Sequence, residues 1–215
     1  MIIVLAGPSG SGKTSSCGIA VRLAREAGVR VAGMLCEAVF SGGSKVGIDW
    51  RDLADEGAAR RSLARRLPGF SQARSAGAPS QGRSPAFDDS DPHTVRFGSW
   101  EFDRKALAEA DAATAAAVSG GSGPKGAAPS LVIVDEIGPL ELERGSGMVK
   151  TLMALDEAAS PEWERAGDAE RLGLTVVVAR PDIADRLAAR WPGSVRLDVS
   201  DVPFERTARR ILEAL

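Results

Sequence analysis

Short runs of branched aliphatic residues recur along the chain, at Ile2–Ala6, 29–36, Leu131–Asp135, Leu174–Ala179 and 195–199. Each is about the length of an average strand. Their near-continuous apolarity, without alternation, predicts strands covered on both faces, as in a parallel sheet. Amphipathic stretches fall between them. Residues 13–27 place Cys17, Ala20, Val21 and Ala24 on one face and stop at Gly28, a residue suited to the position after a helix. Pro181 and Pro203 sit where first-turn prolines belong, opening helices near 182–191 and 204–214. Residues 104–118 and 147–159 predict two more helices. Alternation of this kind predicts a three-layer α/β fold, Rossmann-like, with a mainly parallel central sheet.

One region breaks the alternation. Residues 39–50 form two extended arms around Gly42-Gly43 and predict a β-hairpin that extends the sheet with antiparallel strands. Residues 60–67 and 94–100 are weaker strand candidates. Residues 68–92 and 119–130 are rich in Gly, Ser and Pro, with little apolar periodicity, and are expected to be flexible inserts in a single domain spanning 1–215. For the first of them a lid is the alternative to a disordered linker.

Composition narrows the function classes. The chain has 215 residues, enough for one α/β domain, with 44% hydrophobic and 26% charged residues. A net charge of −2 gives no overall field favouring nucleic acid or an anionic membrane. The 27 cationic residues include only five lysines, a compositional bias rather than a binding signal. Cys17 and Cys36 stand apart in apolar surroundings and are expected to be buried free thiols. His93 is the only histidine, which removes His-Cys zinc sites and any Ser-His-Asp triad. With no signal-peptide core and no apolar run of membrane length, a cytoplasmic monomer is expected.

The sharpest motif follows the first strand. Gly7-Pro8-Ser9-Gly10-Ser11-Gly12-Lys13-Thr14 fits the phosphate-loop pattern (Walker A), with a strand before it and a helix from Lys13. Triphosphate oxygens need many N–H donors converging on one spot. Glycines at 7, 10 and 12 let the backbone curl around phosphates without intruding side chains, and the helix N-terminus adds positive partial charge. Lys13 is expected to reach the β- and γ-phosphates, the Thr14 hydroxyl to ligate Mg²⁺, and Ser15 to complete the binding residues. A carboxylate must hold the Mg²⁺ from the other side, and Asp135 ends an apolar strand where ligands of open α/β sheets bind, as a Walker B acid. Glu136 beside it is placed to position and polarise a water attacking the γ-phosphate. The bland alternative for Glu136 is a cap on the following turn or a surface ion pair.

At Asp135-Glu-Ile-Gly-Pro-Leu-Glu-Leu142 the chain resembles a family, the P-loop nucleoside-triphosphatases known from thermophiles and, in animals, as cancer-related nucleoside-triphosphatase. Gly33-Met-Leu-Cys-Glu37, Gly42-Gly43-x-x-x-Gly47-Ile-Asp49 and Phe97-Gly-Ser-Trp-Glu-Phe-Asp103 are similar to further family segments. The resemblance implies Mg²⁺-dependent hydrolysis of several nucleoside triphosphates, ATP and GTP among them, to diphosphate and phosphate. The chain departs from the family at Ala38 and Phe40, where an acid and a base are usual, and near Arg206, where an Asn is missing. Those departures bear on nucleotide preference more than on hydrolysis.

Other residues carry paired readings. Glu37 either orients water or forms an ion pair with an arginine. Arg180, after its strand, either reaches the γ-phosphate or is a solvated residue before Pro181. The Arg60-Arg61…Arg65-Arg66 cluster has acids nearby and reads as a solvated face. Trp50 and Trp100 read as packing, and Met148 and Met153 as core filling. A small-molecule kinase and a nucleotide-dependent switch or RNA-associated protein are the competing functions.

Overall fold

A computed structural model describes residues 1–69, 86–120, 131–160, 173–199 and 202–215. The expected inserts therefore fall largely outside the described residues. Where described, their ends are ordered: Phe87–Asp88 is a short strand, and Asp88 and Asp91 accept backbone N–H groups two residues on.

In chain order the elements are β1 (Ile2–Ala6), α1 (Lys13–Glu26), β2 (Val31–Ser41), β3 (Ser44–Asp52), β4 (Arg61–Arg66), β5 (Phe87–Asp88), β6 (Thr94–Phe97), β7 (Trp100–Asp103) and α2 (Arg104–Val118). They continue with β8 (Leu131–Asp135), α3 (Pro139–Arg144), α4 (Val149–Ala158), β9 (Leu174–Ala179), α5 (Pro181–Arg190), β10 (Val195–Asp198) and α6 (Phe204–Leu212). All the described strands join one sheet, ordered β10-β1-β9-β8-β2-β3-β4-β7-β6-β5. The first five in that order are parallel, the rest antiparallel.

The parallel part is buried on both faces, as its unbroken apolar runs require. Ile3 and Leu5 of β1 point toward α1 and α6, while Ile2, Val4 and Ala6 point toward α2, α4 and α5. Helix α1 brings Cys17, Ala20, Val21 and Ala24 to the first core, as its spacing predicted. The second core is closed by Leu107 and Ala110 of α2, Leu152 and Leu155 of α4, and Leu187 with Trp191 of α5. Each buried Leu or Val contributes about 1.5–3 kcal/mol, so the two cores fix the sheet that carries the loops.

Three expectations change in detail. The strand expected at 29–36 and the first arm of the hairpin are one strand, β2, because nothing between Cys36 and Val39 breaks the extended chain. It turns at Gly42-Gly43, both with positive φ (55° and 76°), which only glycine adopts cheaply. The antiparallel extension is an arm of five strands rather than a hairpin, and residues 94–100 fold as β6 and β7 around Gly98 (φ 60°). Met148 is buried as expected, but Met153 is 59% exposed, because it lies on the outer face of α4.

The two helices behind the second core are joined by a buried carboxylate. Asp111 of α2 accepts the backbone N–H groups of Lys150 (3.0 Å) and Thr151 (2.8 Å) at the start of α4, and the Thr151 hydroxyl (2.8 Å). A negative group at a helix N-terminus satisfies otherwise orphaned donors. Asp111→Ala should therefore lower unfolding stability by about 2–3 kcal/mol in urea titrations, with the m-value unchanged.

Candidate functional site

The carboxyl ends of β1, β8 and β9 meet along one edge of the sheet. Residues 7–12 connect β1 to α1 as a tight loop, with the Ser11 N–H donating to Pro8 O (3.2 Å) and the Ser16 N–H to Gly12 O (2.8 Å). Gly10 and Gly12 hold φ of 81° and 85°, a left-handed backbone. Gly7 has no room for a side chain, since an added Cβ would lie 2.5 Å from Val199 and 2.6 Å from Ser11 Oγ. Pro8, Ser9, Gly10 and Ser15 are exposed at the mouth of this loop. Lys13 is buried and donates from Nζ to Gly7 O (2.6 Å) and Pro8 O (2.8 Å), which holds its charge on the loop. Burial pushes the Lys13 ammonium below its ordinary value, against the opposing charges of Glu136 and Asp135.

Asp135 ends β8 and is 2% exposed. Its Oδ1 accepts the Thr14 hydroxyl at 3.3 Å and its Oδ2 the Cys36 N–H at 3.1 Å. Burial raises its carboxyl to about 7, although both hydrogen bonds and Lys13 favour the charged form. Thr14 and Asp135 come from opposite halves of the chain, and the fold places them together as a pair of hard oxygen donors. Among the described residues no three His, Cys, Asp or Glu side chains gather to hold a metal. A divalent cation at Thr14 and Asp135 must complete its shell with phosphate and water oxygens, which is how Mg²⁺ is ordinarily bound. The residues present fit that ion.

Glu136 follows and forms a long ion pair with Arg180 Nε at 3.9 Å, the ion-pair alternative expected of it, while about half of its side chain stays open to solvent. Arg180 precedes Pro181 at the end of β9, and its Nε is buried without a hydrogen-bond partner. It also lies close enough for its charge to act on Lys13. Glu136 does not cap the next turn. That role belongs to Glu141, which accepts the Gly138 N–H (2.8 Å) and the Met148 N–H (3.1 Å) and so braces the segment after Glu136. Pro139 at the first helical position with Glu141 three residues after Gly138 was the signal for this residue and for the short α3, the glutamate making the return half of a capping box. The Cys36 N–H, a backbone group, had no signal at all.

Glu37 is not free for water. It pairs with Arg60 and, at 3.8 Å, with Arg51. Trp50 is buried beneath Arg61, and Trp100 lies between Lys45 (5.2 Å) and Arg66 (5.0 Å), so both serve packing and cation–π contacts. The remaining arginines of the cluster pair with acids, Arg61 with Glu109 and Arg65 with Glu101.

Comparison with known proteins bears on this geometry. Residues 2–75 match the model of a family described as NTPase, a stretch holding the phosphate loop, β2, β3 and β4. The resemblance to the P-loop nucleoside-triphosphatases is borne out. The matched stretch agrees with the expected enzyme class, a nucleoside-triphosphatase. Asp135 and Glu136 lie outside the matched stretch. The fold is similar to the solution structure of a human cancer-related nucleoside triphosphatase, with 20% identity and a TM-score of 0.59 over 98% of this chain and 95% of that one. It is likewise similar to the crystal structure of THEP1 from the hyperthermophile Aquifex aeolicus, with 15% identity and a TM-score of 0.60 over 99% and 98% of the two chains. These likenesses bear out the three-layer α/β P-loop fold with its parallel centre and antiparallel edge. No curated protein matches the chain. Among the described residues no helix is long and apolar enough to cross a membrane.

The buried Glu141 gives a pH signature. Burial raises its carboxyl to about 7 from an ordinary value near 4.5, so the folded chain holds a proton that the unfolded chain releases. That contribution is complete below the unfolded value and is lost as pH rises through about 7. Thermal melts between pH 5 and pH 8 should show wild type losing stability with rising pH, and Glu141→Gln should reduce the slope, leaving the part that Asp135, also raised to about 7, contributes. Asp88, Asp91 and Glu101, whose carboxyls are held low, titrate below this window.

Proposed function

We propose that the chain hydrolyses nucleoside 5′-triphosphates to diphosphate and phosphate at the site formed by residues 7–15, Asp135 and Glu136. One observation carries the reading. The Thr14 hydroxyl and the buried Asp135 carboxylate stand 3.3 Å apart, beside a loop whose lysine is already held in place. In this reading Thr14 and Asp135 hold Mg²⁺, which when bound neutralises charge on the β- and γ-phosphate oxygens. The amides of residues 7–15 and the N-terminus of α1 bind the phosphates. Lys13 stabilises charge on the γ-phosphoryl group as it transfers. Glu136, open to solvent next to the metal acid, orients a water and takes its proton as the oxygen bonds to phosphorus and the diphosphate leaves.

Arg180 fits the same centre. Its Nε, which makes no hydrogen bond and holds only a long ion pair to Glu136 at 3.9 Å, supports a role in stabilising the transferred group's charge in cis. A single domain acting as a cytoplasmic monomer on free nucleotides completes the proposal; the free thiols Cys17 and Cys36 fit a reducing compartment.

Phosphate release with ATP, GTP, CTP and UTP tests it. Glu136→Gln should lower kcat by roughly 100-fold or more with little change in nucleotide binding. If that variant turns over as fast as wild type, Glu136 is not the base. Lys13→Ala should weaken both binding and turnover; unaltered binding contradicts the loop assignment. Chelating divalent ions should abolish release, and adding Mg²⁺ back should restore it.

A further inference from the structure

Gly12, the last loop residue before the lysine, is covered by an aromatic ring. A Cβ built there would overlap Cδ1, Cε1 and Cζ of Phe204, the first residue of α6. Phe204 nevertheless stays 42% exposed, so its ring is not consumed by the core. It lies on the lip of the phosphate loop, half against the backbone and half in solvent.

Sheet order decides which end of a bound nucleotide this ring would meet. β1 has β10 on one side and β9, then β8, on the other. Asp135, Glu136 and Arg180 all leave from β8 and β9, so the γ-phosphoryl end belongs on that side. A triphosphate lying across the start of α1 then directs its nucleoside end the other way, toward β10 and α6. Phe204 stands at that end. Among the described residues the notable aromatic alternatives are engaged or distant: Trp50 is buried, Trp100 is flanked by Lys45 and Arg66, and Phe40 lies near the hairpin end of β2.

We propose that Phe204 is the base-stacking residue of the nucleotide site, gripping the flat face of a nucleobase rather than reading its hydrogen-bonding edge. This rests on the reading above that the loop takes a nucleoside triphosphate. Every base has a π-face, so a stacking platform accepts purines and pyrimidines alike. The larger purine overlaps the ring more and binds tighter.

Calorimetric titration of ADP, GDP, CDP and UDP against pyrophosphate, with Mg²⁺ present, tests the assignment without relying on turnover. Phe204→Ala should weaken all four diphosphates by roughly 5- to 50-fold and leave pyrophosphate within about twofold, since the loss is in stacking alone. Phe204→Tyr should restore nucleotide binding. If pyrophosphate weakens in parallel, the ring only packs on Gly12 and the proposal falls. Unchanged nucleotide affinity in Phe204→Ala also overturns it, as does a wild type that binds pyrophosphate as tightly as it binds the diphosphates. A wild type that binds neither ligand would overturn the phosphate-loop reading and this inference together.

Discussion

The carboxylate of Asp135 is the constraint on which the site depends. It is buried at the end of β8, and a buried charge is costly unless it is hydrogen-bonded. Its partners are the Thr14 hydroxyl at the start of α1 and the Cys36 N–H in β2, so one side chain ties together three segments far apart in sequence. Those contacts explain why the chain tolerates an acid in an otherwise apolar strand end. They favour the charged form, but burial outweighs them and raises the carboxyl to about 7. A cation sharing the carboxylate would shift that balance toward the charged form.

The sheet divides the labour around this point. β1 supplies the phosphate loop, and β8 and β9 on one flank supply Asp135, Glu136 and Arg180. On the other flank β10 leads to α6 and Phe204. The two buried cores hold these loop-bearing strands in register, with α1 and α6 on one face and α2, α4 and α5 on the other. Glu141 and Asp111 do the same for the polypeptide beyond Asp135, satisfying the N–H groups of helix starts that the core would otherwise leave unpaired.

Much of this was legible in the sequence where one physical rule dominated. Continuous aliphatic runs marked the parallel strands because burial on both faces leaves no other option, and Gly42-Gly43 marked the hairpin because its turn needs positive φ. The loop at residues 7–14 and Asp135 were readable from spacing and context. The antiparallel arm was underestimated because β5, β6 and β7 are two to four residues long and half-exposed, too short for periodicity to speak. Met153 was misplaced because a methionine's position on a helix face depends on where α4 docks. Glu37 stayed open between two roles until its arginine partners were located. The segment near Arg206 stood out only as a departure bearing on nucleotide preference, and Phe204 itself could not be singled out, since only the fold brings the start of the last helix against the loop after the first strand.

The coupling between Thr14, Asp135 and a divalent ion is the claim that the rest of the account stands on. The direct measurement is the Mg²⁺ dependence of binding a non-hydrolysable triphosphate analogue, in wild type and in Asp135→Asn. Wild type should bind the analogue at least tenfold tighter with Mg²⁺ than without. Asp135→Asn should lose most of that gain while keeping the Mg²⁺-free affinity supplied by the loop and Lys13. An undiminished Mg²⁺ effect in Asp135→Asn would contradict the account.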